Sequence, residues 1–205
     1  MRRAYIFDLD NTLFHTPSIG AELFAPVYKL IHDSGEHEED FDEIKEDFTR
    51  IPFQKIAKKY HFNESLATEC TELLKQLEYN KPIEPFDDYN VIKSLPADRF
   101  IVTSGFTKMQ QSKINSLGIK EDFKEVHIID NTTTDKVKKD VFSEIIQKHN
   151  YKPDEVVVVG DDPESEIKGG NELGVVTILY DKNNVHSSSE ATYTIENLSE
   201  LLSLK

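Results

Sequence analysis

Short apolar runs that alternate with helical segments constrain the fold of this chain more than any other feature. The runs are rich in Val, Ile and Phe and cover residues 3–8, 99–103, 125–130, 156–160 and 175–180. Several are apolar at consecutive positions, which is typical of strands buried on both faces. Because segments with helical spacing lie between them, the pattern predicts a parallel α/β sheet.

Glycine and asparagine mark the ends of the predicted helices. Residues 109–117 are followed by Gly118, residues 165–173 by Gly174, and residues 137–148 end near Asn150. These residue types favour the left-handed backbone that closes many helices. After the last of the five runs, residues 193–195 are predicted to add an edge strand before a short final helix.

One long stretch, residues 15–85, breaks the alternation because it has helical patterns and no strand pattern. It contains 15 acidic and 8 basic residues. We interpret it as a helical subdomain inserted after the first strand. The chain is thereby divided into a core domain of residues 1–14 and 86–205 and an insert of residues 15–85. The acidic run at residues 36–40 is predicted to be a solvated loop or helix start, with a metal cluster as the alternative.

The charge balance limits the partners that the chain can bind. The 205 residues include 24 Lys and Arg against 38 Asp and Glu, a net charge of −14. Duplex DNA and anionic membranes require a basic surface, so neither is an expected partner. The single cysteine, Cys70, fits a reducing compartment, and no apolar run is long enough for a signal peptide or a membrane span. We therefore expect a cytoplasmic protein, either a monomer or a weak homodimer.

Polar residues follow three of the predicted strands. Asp8 and Asp10 follow the first strand and, two positions apart, would point to the same side. Thr103, Ser104 and Gly105 end the second strand, where small hydroxyl residues and a glycine let an anion approach backbone N–H groups closely. Parallel strands bring their carboxyl ends to one edge of the sheet, where ligands bind.

The remaining strand ends add more carboxylates and a lysine to the same edge. Asp161 and Asp162 follow the fourth strand, and Lys136 precedes a predicted helix. Each of these residues alone is more typical of a turn, a helix cap or a solvated surface. Together they provide the hard oxygen ligands that suit Mg²⁺ and a cation that suits a phosphate group. The sequence therefore predicts a magnesium and phosphate site.

In these motifs the chain resembles the haloacid dehalogenase superfamily. The sequence DLDNT at residues 8–12 matches its Asp-x-Asp-x-Thr motif, and Thr103 matches the hydroxyl residue that ends the next core strand. Lys136 has the spacing to Asp161 of a third motif, which here lacks its two prolines; Lys138 is the alternative. Residues 160–166 match the acidic fourth motif. The resemblance implies a doubly wound parallel sheet with a Rossmann-like core and a helical cap.

The resemblance also implies roles for individual residues. Asp8 would be the nucleophile that forms an aspartyl-phosphate, and Asp10 the general acid and base. Thr103 and Lys136 would hold the phosphoryl group, with Ser104 and Gly105 completing the binding loop. Thr12 would orient Asp10 or cap its turn.

The implied metal is Mg²⁺, held by Asp8, the Asp10 backbone carbonyl and Asp161. Asp162 and Glu166 would be neighbouring or alternate ligands. Several residues in or next to the cap are candidates for lining the pocket, namely Phe14, His15, Phe24, Tyr28, Phe53 and Lys55. For each of them, core packing or solvent exposure is the favoured role.

These roles imply a Mg²⁺-dependent phosphatase that acts on a small-molecule phosphate monoester, either a nucleoside monophosphate or a sugar phosphate. Two alternatives remain. A sugar phosphomutase would use the same intermediate, and a non-catalytic module would bind Mg²⁺ or a partner with the same fold.

Overall fold

The structure, a computed structural model, describes residues 2–186 and 189–204. Six parallel strands form one sheet in the order β3-β2-β1-β4-β5-β6. They are β1 (Ala4–Phe7), β2 (Asp98–Ser104), β3 (Glu125–Ile129), β4 (Val156–Gly160), β5 (Val176–Tyr180) and β6 (Tyr193–Ile195). The predicted parallel α/β sheet is confirmed, and so is the edge strand at residues 193–195.

The strand order reverses next to β1. The chain passes from β1 through β2 to β3 on one side, and then returns to place β4 on the other side of β1. In a doubly wound sheet, such a reversal opens a crevice at the carboxyl ends of the two central strands. Asp8 follows β1 and Asp161 follows β4, so both acids lie at this crevice.

The helices connect the strands and form the insert. They are α1 (Pro17–Leu23), α2 (Ala25–Ser34), α3 (Phe41–Asp47), α4 (Phe53–Lys59), α5 (Glu64–Leu74), α6 (Asn90–Ser94), α7 (Thr107–Leu117), α8 (Lys138–Lys148) and α9 (Lys168–Glu172). Three 3₁₀ turns cover Lys120–Asp122, Pro153–Glu155 and Leu198–Leu202. Gly118 and Gly174 both adopt positive φ after their helices, in agreement with the predicted helix ends.

In the insert, Pro26 separates α1 from α2, because it has no N–H to continue α1 and is instead accommodated in the first turn of α2. One predicted helix differs from the observed structure. Residues 165–173 form a π-helical turn, Pro163–Ile167, followed by the short α9. The acidic run at residues 36–40 is largely exposed and leads into α3, although His37 is buried against Phe62.

Alternate residues of β1 enter two different apolar clusters. Ala4 and Ile6 belong to the smaller cluster, whereas Tyr5 and Phe7 belong to the larger one, which continues into the insert through residues such as Phe24. Full burial of a side chain of this size contributes about 1.5–3 kcal/mol. The sheet is thus covered on both faces, and the insert packs onto the same core that holds β1.

In the part of the chain that the structure describes, no helix combines the length and the apolar character needed to cross a membrane. The cytoplasmic location, the oligomeric state and the division into residues 1–14 with 86–205 and residues 15–85 stay predictions.

Candidate active site

Asp8 lies at the centre of the crevice, directly after β1. Its backbone N–H donates to the Val159 carbonyl of β4 at 2.9 Å, which fixes the residue between the two central strands. Its carboxylate is buried, with a side-chain exposure of 7%. Burial raises the pKa of Asp8 to about 7; the Glu166 and Asp10 carboxylates add to this effect, and the Lys138 ammonium opposes it.

Lys138 is the lysine that contacts Asp8. Its Nζ lies 2.5 Å from Asp8 Oδ1 and also donates to Glu166 Oε1. Burial alone would lower the pKa of Lys138, but these two carboxylates raise it above its usual value, so the lysine is charged. Lys138 is also the first residue of α8, and this position directs its side chain into the crevice.

Lys136 is placed differently from the sequence expectation. Its Nζ lies 2.5 Å from Glu144 Oε1, and both side chains are about half exposed. The residue between the two lysines, Val137, is extended, with φ −112° and ψ 169°, so α8 begins only at Lys138. Lys136 therefore lies before α8 and pairs with Glu144 on the exposed side of that helix, although it also borders the pocket.

A cluster of three acids forms the floor of the site. One carboxylate oxygen each from Asp8, Asp161 and Glu166 lie within 4.8 Å of one another. Burial raises the pKa of Asp161 to about 8, and the Asp8 and Glu166 carboxylates contribute to the shift. Gly160 makes room for Glu166, because a Cβ at this position would lie 2.4 Å from Glu166 Cγ.

The donor set fits a divalent cation. Among the residues that the structure describes, the three clustered carboxylates face one ammonium group, that of Lys138, so negative charge is in excess. Carboxylate oxygens are ligands that Mg²⁺ accepts. The cluster includes Glu166 rather than Asp162, whose Oδ1 instead accepts a hydrogen bond from the Glu164 N–H at the start of the π-helical turn. Asp10 also lies outside this cluster.

Asp10 has its own set of donors. Its Oδ1 accepts from Lys113 Nζ at 2.7 Å and from Thr16 Oγ1 at 3.0 Å, and its Oδ2 accepts from Gln110 Nε2 at 2.8 Å. Burial alone would raise the pKa of Asp10, but the charge and hydrogen bond of Lys113, with the two other donors, hold it below its usual value. Asp10 is therefore ionised. Thr12 Oγ1 is buried and has no hydrogen-bond partner within the described residues.

The second strand end contributes Thr103, Ser104 and Gly105 to the pocket wall. Thr103 is buried, and its hydroxyl oxygen lies 2.6 Å from Gln110 Nε2, which also binds Asp10. The Gly105 N–H donates to the Ile129 carbonyl at 3.0 Å, so it is already engaged within the sheet edge. Gly105 has φ 152°, and a Cβ there would press on the Gln110 side chain at 3.0 Å.

The insert closes one side of this site. A pocket of about 450 Å³ extends from Asp8 and Asp10 to the segment that joins α3 to α4. Among the candidate pocket residues of the insert, Phe24, Phe53 and Lys55 border this pocket. Phe14 is fully buried in the core instead.

Gln110 and Lys113 were missed by the sequence reasoning. Both are buried on α7, together with Met109 and Leu117. The signal was present, because Gln110, Lys113 and Leu117 follow one another at helical spacings of three and four residues. Polar residues on the buried stripe of a helix need a partner, and here the partner is Asp10.

Comparisons with known proteins identify relatives of the whole chain. It is 28% identical over 200 residues to the glyceraldehyde 3-phosphate phosphatase of Methanopyrus kandleri, covering 87% of this chain and 83% of that protein. It is 24% identical over 237 residues to the ribulose-1,5-bisphosphate 5-phosphatase of Halopiger xanaduensis, covering 100% and 99%. The magnesium-bound structure of the HAD-hydrolase YfnB from Bacillus subtilis has a TM-score of 0.67 at 20% identity, covering 98% and 97%.

The family model for haloacid dehalogenase-like hydrolases matches residues 5–180, a range that contains both the sheet residues of the crevice and the insert. This chain belongs to the haloacid dehalogenase-like hydrolases.

Proposed function

We propose that the chain is a Mg²⁺-dependent phosphatase that hydrolyses a small sugar or nucleotide phosphate monoester through an aspartyl-phosphate on Asp8. The observation that carries the proposal is the placement of Asp8 beside Lys138 and an acidic cluster, at the base of a pocket that also contains Asp10. The two relatives are named as phosphatases of small sugar phosphates, which supports this substrate class.

Asp8 is proposed as the nucleophile. Its Oδ1 is held by Lys138, and no hydrogen bond reaches Oδ2 from the residues that the structure describes. In the first step a bond forms between an Asp8 carboxylate oxygen and phosphorus, and the bond from phosphorus to the ester oxygen breaks. In the second step water attacks the phosphorus and releases inorganic phosphate and free Asp8.

Asp10 is proposed to move the protons in both steps. Because Asp10 is ionised in the free protein, the first proton would arrive with the substrate: a phosphate monoester that binds as its monoanion would pass this proton through Asp10 to the leaving ester oxygen. Asp10 would then accept a proton from the attacking water in the second step. The contact with Lys113 favours the ionised form, which is the form that the second step uses. Gln110 fixes the Asp10 carboxylate relative to Thr103, which is proposed to bind a phosphoryl oxygen.

Lys138 is proposed to take the part that was first given to Lys136, because Lys138 is the one beside Asp8. Its ammonium would offset charge on the phosphoryl oxygens as they approach. Asp8, Asp161 and Glu166 would hold Mg²⁺ together with the Asp10 backbone carbonyl, and Asp162 would be a neighbouring group that binding does not require. When bound, Mg²⁺ neutralises charge on the phosphoryl group and on the carboxylates that surround it.

The decisive experiment is phosphate release from p-nitrophenyl phosphate and from a panel of sugar and nucleoside phosphates, with Mg²⁺ present. The Asp8→Asn variant is expected to lose at least about 10³-fold in kcat, because it lacks the attacking oxygen anion. Asp135→Asn, an exposed acid outside the pocket, is the matched control and should retain its activity. Turnover that survives both Asp8→Asn and EDTA would refute the proposal.

A further inference from the structure

The pocket is bordered by seven basic side chains, and five of them are paired with carboxylates. The pairs are Lys113 with Asp10, Lys136 with Glu144, Lys138 with Asp8 and Glu166, Lys139 with Glu172, and Lys168 with Glu164. The other two are Arg50 and Lys55, both on the insert. Within the described residues, neither side chain has an ion pair or a hydrogen bond.

The lack of a partner for Arg50 has a local cause. Asp47, one helical turn before it, accepts from Lys59 Nζ at 2.7 Å and from Tyr60 OH at 2.9 Å. These two contacts tie the end of α3 to the end of α4 and engage the Asp47 carboxylate. In a chain with a net charge of −14, two pocket cations without a carboxylate are unusual neighbours for an acidic insert.

The segment that carries Arg50 and Lys55 is held next to the catalytic loop. Asn11, which lies between Asp10 and Thr12, donates from its side-chain amide to the Thr49 carbonyl at 3.0 Å. Gly20 of α1 allows Thr49 to approach closely, since a Cβ at Gly20 would lie 2.6 Å from Thr49 Cγ2. Two contacts thus set the position of the segment relative to Asp8.

We propose that Arg50 and Lys55 form a subsite for a second anionic group of the substrate, a carboxylate or a phosphate at the end remote from the group that is hydrolysed. The inference rests on the proposed function and narrows its substrate class. A guanidinium binds planar oxyanions through two parallel hydrogen bonds, and an ammonium adds a second charge. A pocket of about 450 Å³ has the size of a small-molecule site.

The charges of the pocket favour this occupant over a neutral one. The transferred phosphoryl group would lie between Lys138, Thr103 and the acidic cluster, so these groups are used at the base of the pocket. A second anion could not lie there, because Asp161 and Glu166 would repel it. The insert offers positive charge on the opposite wall, and the Asp47 carboxylate close to Arg50 in the sequence is engaged by Lys59.

The test compares three phosphate esters of the same chain length. Glycerol 3-phosphate has a neutral remote end, 3-phosphoglycerate has a carboxylate there, and propane-1,3-diol bisphosphate has a second phosphate. We expect kcat/KM of at least one of the two esters with a second anionic group to exceed that of glycerol 3-phosphate by about tenfold or more, as charge-assisted hydrogen bonds would give. The preferred ester distinguishes a carboxylate from a phosphate, after correction for the two equivalent ends of the bisphosphate.

The variants Arg50→Gln, Lys55→Gln and their combination are then measured with the same esters. In the double variant, kcat/KM for the preferred ester with two anionic groups is expected to become nearly equal to kcat/KM for glycerol 3-phosphate, so that their ratio is close to one. Lys58→Gln is the matched control, because Lys58 is an exposed cation on α4 that does not border the pocket. This variant should keep the ratio of the unaltered protein.

The outcomes separate the subsite from the proposed function. If glycerol 3-phosphate is hydrolysed but the ratio is near one, or is unchanged in the double variant, the subsite is refuted and the phosphatase stands. If none of the three esters releases phosphate, p-nitrophenyl phosphate and the panel decide on the proposed function, which stands if any of them is hydrolysed and fails if none is. In both cases calorimetric titration of the Asp8→Asn protein with Mg²⁺ and the three esters decides on the subsite. The subsite is supported if an ester with two anionic groups binds more tightly than glycerol 3-phosphate and loses this advantage when Arg50→Gln and Lys55→Gln are added. Equal binding of the esters refutes it.

Discussion

Asp8 and Asp10 are two residues apart, and each contacts a buried lysine, yet their surroundings have opposite effects. Burial raises the pKa of Asp8 to about 7, and the Glu166 and Asp10 carboxylates add to this shift against a single opposing cation, Lys138. Asp10 has Lys113 to itself, with Gln110 and Thr16 as further donors, and its pKa is lowered.

Both aspartates are buried, so the ratio of donors to carboxylates around each one accounts for the opposite shifts of their pKa values. A region with surplus carboxylates has a place for a cation and for groups that the cation brings with it. A region with surplus donors holds a single carboxylate charged and in one orientation. This difference agrees with the proposed roles of Asp8 as the nucleophile and of Asp10 as the residue that transfers protons.

Removal of Lys138 is expected to have the largest effect. Within the described residues, its ammonium is the one that pairs with the carboxylates of the acidic cluster formed by Asp8, Asp161 and Glu166. In Lys138→Met, kcat with saturating Mg²⁺ should fall by about 10²–10³-fold, as is usual for the loss of a group that stabilises developing charge. The measurement is steady-state release of phosphate from p-nitrophenyl phosphate. Lys136→Met is the comparison, since Lys136 pairs with the exposed Glu144. An equal loss in both variants would contradict the assignment of Lys138.

These two lysines also show how far the sequence could lead. The apolar runs predicted five of the strands and the edge strand, because burial on both faces leaves a pattern in the sequence itself. The choice between Lys136 and Lys138 depends on the residue at which α8 begins, and the extended Val137 that decides it has no distinctive residue type. Spacing alone placed both lysines near Asp8.

The cap wall of the pocket was harder to predict for a different reason. Lys55 was among the candidates of the insert, but Arg50 was not. Its exposure to the pocket depends on Asp47 being occupied by Lys59 and Tyr60, and on the contact between Asn11 and Thr49. Such contacts join residues that are not neighbours in the sequence, and the hydrophobic periodicity of a helix or strand does not predict them.

Lys113→Met tests the other half of the comparison. The variant leaves Asp10 with neutral donors only, so the buried charge is poorly compensated. We expect the free energy of unfolding to fall by about 2–3 kcal/mol, somewhat less than for a fully enclosed pair because Asp10 keeps 25% side-chain exposure. Urea denaturation measures this change. Lys108→Met, on the exposed side of α7, should have little effect.

A second substitution separates lost charge from lost packing. Adding Asp10→Asn to Lys113→Met removes the uncompensated carboxylate, so the double variant should recover part of the lost stability. If the double variant is no more stable than Lys113→Met, the lysine contributes through packing and the pairing argument fails for this region.

Mg²⁺ should stabilise the folded protein by binding to the acidic cluster of Asp8, Asp161 and Glu166. At a Mg²⁺ concentration about 30 times Kd, binding to the folded state adds about 2 kcal/mol, which a rise in Tm would report. Asp161→Asn should lose most of this gain, and without Mg²⁺ it should be more stable than the unaltered protein because repulsion with Asp8 and Glu166 is relieved. Asp162→Asn should retain most of the gain, and an equal loss there would argue against the cluster as the ligand set.

Glu125 offers the smallest and most selective test, because it reproduces the donor-rich surroundings of Asp10 away from the pocket. It lies at the start of β3, and its carboxylate contacts Lys148, His149 and His127 at 2.8–3.0 Å. Burial alone would raise its pKa, but these three donors lower it to about 2.

A carboxylate with a lowered pKa stabilises the fold above its ordinary pKa, near 4.5, and this contribution is lost as the pH falls through about 2. We therefore expect Glu125→Gln to be less stable than the unaltered protein by about 1 kcal/mol near pH 5.5, and the difference to shrink as the pH approaches about 3. Urea denaturation at both pH values measures it, with kcat at neutral pH as the second readout. An unchanged kcat together with this loss would show that surplus donors stabilise the Glu125 carboxylate without affecting turnover, so donor-rich surroundings alone do not give a carboxylate the role proposed for Asp10. A difference in stability that grows towards acid would mean that Glu125 is not held by its donors, and the same account of Asp10 would then lose its support.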